Sequence, residues 1–169
     1  MESSRDRLMA FGNQLIEVHI WLREELASLR ENLDANDVDD AEARPRELRA
    51  HRLTFCTALN RHHSGEEDGA FPALAQQFPE LLPVLDELRR DHQLVEESLQ
   101  RLETLLAGLG KESDPLAVRR ELDSLAVLME THFVYEEKRI VTVLNALDMP
   151  DWERTHPDFL ISETAAPRA

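Results

Sequence analysis

The sequence predicts an all-α protein, an up-down-up-down four-helix bundle with an internal two-helix pseudo-repeat and a C-terminal tail. Three observations predict it. Leu, Glu, Arg and Ala dominate, and only 5 Gly and 8 Pro interrupt them, a composition that favours helix because these side chains lose little rotamer freedom there. Apolar residues recur at three- and four-residue spacing through four long stretches. The second pair of stretches also echoes the first, residue type by residue type.

The first helix reads from about Leu8 to Leu33, its stripe formed by Leu8, Phe11, Leu15, Leu22, Leu26, Leu29 and Leu33. Asp34 to Glu42 then reads as a solvated acidic loop. It lacks the sixth-position glycine that a calcium-binding loop needs for its sharp turn, which excludes that reading. The second helix begins near Arg46 and carries Leu48, Phe55, Leu59 and Leu74. Pro72 should kink it or open its last turn, because proline removes a backbone donor. Pro79 and Pro83 flank the start of the third helix, which runs through Leu85, Leu88, Val95, Leu99 and Leu102 to Gly108 and Gly110. Asp114-Pro115 predicts an N-cap followed by proline at the first helical position. The fourth helix continues through Leu122, Leu125, Met129 and Ile140 to about Leu147. These readings divide the chain into a bundle, residues 1–147, and a tail, residues 148–169.

A chain of 169 residues suits one domain with a modest core. Its formal net charge of −15 repels phosphate backbones and anionic lipid, so neither nucleic acid nor a membrane surface is an expected partner. The single cysteine, Cys56, forms no intramolecular disulfide framework and suits a reducing compartment. With no apolar signal core at the N-terminus and no run of membrane-spanning length, the expected location is the cytoplasm.

The repeat carries the chemistry. His19 is followed by Leu22, Leu26 and Leu29, and His92 by Val95, Leu99 and Leu102 at the same offsets. His62, Glu66, Glu67, Phe71 and Leu74 match His132, Glu136, Glu137, Val141 and Leu144. Each half therefore supplies a lone histidine on one helix and a His-x-x-x-Glu on the next. At about 100° per residue, all six groups fall against the apolar stripes of their own helices. Counted from the connecting loops, the four histidines also fall level, about 14 and 16 residues (roughly 21 and 24 Å) from the first loop. Six ionisable groups in one buried layer are costly unless something neutralises and coordinates them. Four imidazoles and two carboxylates suit a pair of first-row metals, iron above all, with zinc and manganese also compatible.

In this pattern, and in Glu66-Glu67 followed by Phe71-Pro72-Ala73-Leu74, the sequence resembles the hemerythrin family, including its cation-binding domains with a repeated His, His-x-x-x-Glu pattern. The resemblance covers roughly residues 8 to 147. It implies a non-heme diiron centre, two Fe ions joined by an oxo or hydroxo bridge. His19 and His62 would ligate one ion, His92 and His132 the other, with Glu66 and Glu136 bridging. Oxygen carriers of the family have a further histidine one turn before the third-helix histidine, where this chain has Leu88. The fourth-helix carboxylate of the carriers is also usually an aspartate at a different spacing. Both differences point to the broader hemerythrin-like group. With Leu88 there, the ion of His92 and His132 would have one protein ligand fewer, which favours turnover over reversible oxygen carriage.

Other polar residues compete for these roles. His63 pairs with Glu67 at the same spacing but is expected on the flank of the second helix, so His62 is the preferred ligand. His51, about three turns below, reads as an end-of-bundle polar contact. Glu96, one turn after His92, is a candidate seventh ligand that belongs more simply to the solvated flank. Cys56 reads as a small buried hydrophobe, and Glu153 with His156 as a tail coincidence. The expected function is a redox protein acting on oxygen, peroxide or a related small oxidant, as an oxidase, oxygenase or peroxidase with an unidentified small-molecule substrate. The alternative is an oxygen, nitric oxide or iron binding and sensing module without turnover. No output or recognition domain is visible in the sequence, which favours the first.

Overall fold

The computed structural model describes residues 10–34, 43–108, 114–152 and 157–160, and within them there is no β-strand. Helix α1 spans Phe11–Asp34 and α2 Ala43–Gly65; a π-helical turn at Glu66–Ala70 leads into α3, Phe71–Gln77. A 3-10 turn at Pro79–Leu81 precedes α4, Leu82–Ala107, and α5 spans Pro115–Ala146. A last 3-10 turn covers Asp158–Leu160. α2, the π turn and α3 form the second long helix of the bundle. Around the bundle, α1 packs on α2, α2 on α4, α4 on α5, and α5 back on α1.

The punctuation follows from the residues. Phe71 donates its backbone N–H to the Glu66 carbonyl, one residue farther back than in an α-helix. The widened turn stands directly before Pro72, which has no N–H and whose ring would crowd the carbonyl four residues earlier. Pro72 thus opens the last turns of the second helix, as its sequence position implies. Pro79 starts the 3-10 turn and Pro83 lies in the first turn of α4, where a missing donor costs nothing. Asp114 caps α5, its carboxylate accepting from the Leu116 N–H at 3.0 Å.

The core falls into two apolar clusters. One holds Leu22, Leu26, Phe55, Leu59, Leu99, Leu122 and Phe133; the other holds Phe11, Leu15, Phe71, Leu85, Leu88, Ile140 and Leu144. Near where the two clusters meet on each long helix lie buried His and Glu side chains: His19, His62, His63, Glu66, His92, His132 and Glu136. α1 and α5 approach closely at Gly12. A Cβ there would strike the Val141 carbonyl oxygen and lie 2.7 Å from Asn145 Oδ1, the atom that accepts from the Gly12 N–H.

The core does not stop at Leu147. Trp152, Phe159 and Leu160 are buried, and Trp152 meets both Phe11 and Phe159 edge to face. The Asp158–Leu160 turn lies against α1 and α2, so part of the expected tail belongs to the bundle. Glu153 and His156, like most of the acidic loop after α1, lie outside the described residues.

Candidate metal centre

Two sets of four side chains converge in the polar layer. His19, His62, Glu66 and Glu136 form one, and His63, Glu66, His92 and His132 the other; within each, ligand atoms lie within 4.8 Å of one another. Glu66 belongs to both. Its Oε1 is 2.7 Å from His62 Nε2 and its Oε2 is 3.1 Å from His92 Nε2, one oxygen toward each set. Glu136 Oε2 lies 3.1 Å from His132 Nε2 and 3.7 Å from His19 Nε2, so it too faces both. The six residues expected from the sequence are thus brought together, with His63 as a seventh.

The position of His63 corrects the expectation that it flanks the helix. His62 and His63, about 100° apart, straddle the inward direction of α2. His62 turns toward α1, its Nε2 3.1 Å from that of His19, and His63 turns toward α4, stacking on His92 at 3.8 Å. His63 is only 7% exposed. In the repeat its counterpart is Phe133, which stacks on His19 at 4.0 Å as His63 stacks on His92.

The outward nitrogens are anchored, and this too follows the repeat. Glu137 Oε1 accepts from His19 Nδ1 at 3.0 Å, and its counterpart Glu67 accepts from His92 Nδ1 at 3.1 Å. His132 Nδ1 donates to Asp91 at 3.1 Å. The residue matching Asp91 in the first half is Val18, which has no side-chain acceptor. His62 Nδ1 instead donates to the Phe159 carbonyl of the C-terminal turn at 2.7 Å. A hydrogen bond on Nδ1 fixes the tautomer that leaves Nε2 a lone pair for a cation and holds the ring in place. Sequence reading missed all four acceptors. The matched pair Glu67 and Glu137, each one residue after an inner glutamate, was the available signal.

Burial pushes His19 below its ordinary pKa even though Glu137 and Glu136 pull the other way. His63 is held well below its ordinary range, first by burial and then by the neighbouring His92. Burial alone would raise the Glu66 carboxyl, but His62 and His92 hold it well below the carboxylate range. The same coupling outweighs burial at His62 and raises it. At His132, burial is outweighed by Asp91 and Glu136, and the pKa rises to about 10. Protons and cations therefore compete for the same inner nitrogens.

A metal fits this donor set. Seven of its buried atoms, His63 Nε2, His92 Nε2, His132 Nε2 and both oxygens of Glu66 and Glu136, have no aligned hydrogen-bond partner. Each such group costs about 1–3 kcal/mol if left unsatisfied. Imidazole and carboxylate together suit first-row transition metals. The model of one family, the hemerythrin HHE cation binding domain, matches residues 12–146. The chain belongs to that family. No curated protein and no solved structure matches it.

Within this hemerythrin-like bundle, Leu88 is fully buried in the apolar cluster holding Leu85 and Phe71. On the side where Leu88 stands in place of a further histidine, His63 joins His92 and His132 in one candidate ligand set. Glu96 is exposed, accepts from Gln100 at 3.3 Å and belongs to neither set. His51 bonds Glu25 and Asn32 away from the centre. Cys56 is a buried free thiol, its pKa raised by burial. No described helix is long and apolar enough to cross a membrane.

Proposed function

We propose that this hemerythrin-like protein is a cytoplasmic non-heme diiron protein that acts on oxygen, peroxide or a related small oxidant. The observation that carries the reading is the sharing of Glu66, one oxygen toward each of two buried histidine sets. A pair of irons would supply one-electron redox steps and open coordination for a small oxidant. His19, His62, Glu66 and Glu136 would hold one ion and His63, Glu66, His92 and His132 the other. The Nδ1 acceptors Glu137, Glu67, Asp91 and the Phe159 carbonyl keep the rings oriented. Phe133 and the apolar clusters on either side limit water in the layer.

Turnover, rather than storage of a single oxygen adduct, is supported by access. A cleft of about 420 Å³ between α2 and α4 is bounded by His63 and His92, so a small molecule can reach that side of the centre. Protein produced with ample iron should hold close to two irons per chain and absorb in the near ultraviolet. Peroxide should change that spectrum and be consumed catalytically. A stable, fully reversible oxygen complex would instead assign the protein to carriage or sensing.

A further inference from the structure

We propose that the cleft between α2 and α4 is the port through which divalent cations reach the buried centre, with Glu96 and Glu97 as a transient cation site at its mouth. The inference rests on the metal-centre reading above. The cleft holds about 420 Å³, with Glu67, Glu96 and Glu97 on its walls and no arginine or lysine among its lining residues. His63 and His92 close its inner end. His63 is 7% exposed, and its Nε2 is buried without a partner. The outer carboxylates thus share a cleft with an unsatisfied imidazole that belongs to one of the two candidate ligand sets.

A second cleft, about 530 Å³ between α1 and α5, makes the contrast. It is lined by Arg23 and Arg30 as well as Asp123 and Glu130, and no candidate ligand borders it. Arg23 closes its inner side, bonded to Glu130 at 2.7 Å and Glu137 at 2.9 Å over the Phe133 ring. That route offers a cation a fixed positive charge and an aromatic wall. The α2–α4 cleft offers only negative charge, within a chain of net charge −15. A cleft lined by one sign of charge concentrates the opposite ion and speeds its entry, most strongly at low salt.

The test uses the full-length chain, stripped by chelation and checked for helix by circular dichroism, then mixed with cobalt(II) while its ligand-field absorbance is followed. The E96Q/E97Q double variant should take up cobalt about tenfold more slowly at low ionic strength, with a flatter salt dependence and an unchanged final metal count. Ser64, exposed on the lining of the same cleft, gives a second probe that needs no stripped protein. S64W should slow removal of metal from loaded protein by a chelator. Unchanged rates in both variants would overturn the port. A lower final metal count in E96Q/E97Q would also overturn it, by making those residues part of the centre. If the parent chain itself takes up no metal, it is the metal-centre reading that fails.

Discussion

His62 and His63 are neighbours in sequence yet serve opposite sides of the centre, one facing His19 and the other stacked on His92. Replacing either should therefore remove metal. His62→Ala and His63→Ala are each expected to lower the iron content per chain by about half or more, as second ligands are lost from one set. Elemental analysis of purified variants checks this, and a full complement in His63→Ala would return that residue to the helix flank. The sequence made the other six residues legible because the repeat places each beside an apolar stripe. It concealed His63 for the same reason. The repeat pairs His63 with Phe133, and a match to phenylalanine reads as packing. Helical projection assigns one inward direction per helix, whereas α2 faces two partners, and a pair of residues about 100° apart can serve both.

At the level of elements, the second helix and the C-terminal turn act as one unit. Gly65, at the end of α2, leaves room for the turn; a Cβ there would lie 2.6 Å from the Phe159 backbone nitrogen. Arg61 bonds Asp158 at 3.0 Å, and His62 donates to the Phe159 carbonyl. Gly65→Ala should push the turn away and cost about 1–3 kcal/mol. Ending the chain after Trp152 should cost about 3 kcal/mol or more through loss of buried Phe159 and Leu160, lowering the thermal midpoint by roughly 6–12 °C. Both changes should weaken metal binding by about tenfold or more, because His62 loses the partner that orients it. Titration with a competing chelator would measure this, and an unaltered affinity in the shortened chain would deny the turn any part in the centre. The four long helices were legible from periodicity, and Asp114-Pro115 from capping chemistry. The packing of residues 157–160 was not, because a short segment of Pro157-Asp158-Phe159-Leu160 has no period to read.

For the whole molecule, as far as the described residues go, a buried polar layer accompanies two apolar clusters. Chelation leaves Glu66 and Glu136 fully buried without a metal ion, a charge then offset only by protons on His62 and His132 or by opening the layer. The thermal midpoint of demonstrably iron-free protein should fall by about 5 °C or more, consistent with loss of a few kcal/mol; an unchanged midpoint would mark the bound metal as superficial. The two halves of the bundle otherwise mirror each other closely, down to Glu67 and Glu137 behind their histidines. They part at His63 against Phe133, and at Asp91 against Val18. A dimer of identical hairpins must change both copies of a residue together. Carrying both hairpins in one polypeptide frees each to differ alone, and here one candidate ligand set has three imidazoles and the other two. The two sets are therefore inequivalent by inheritance of the chain itself, so under the diiron proposal an electron added to the pair would have a preferred side on which to reside.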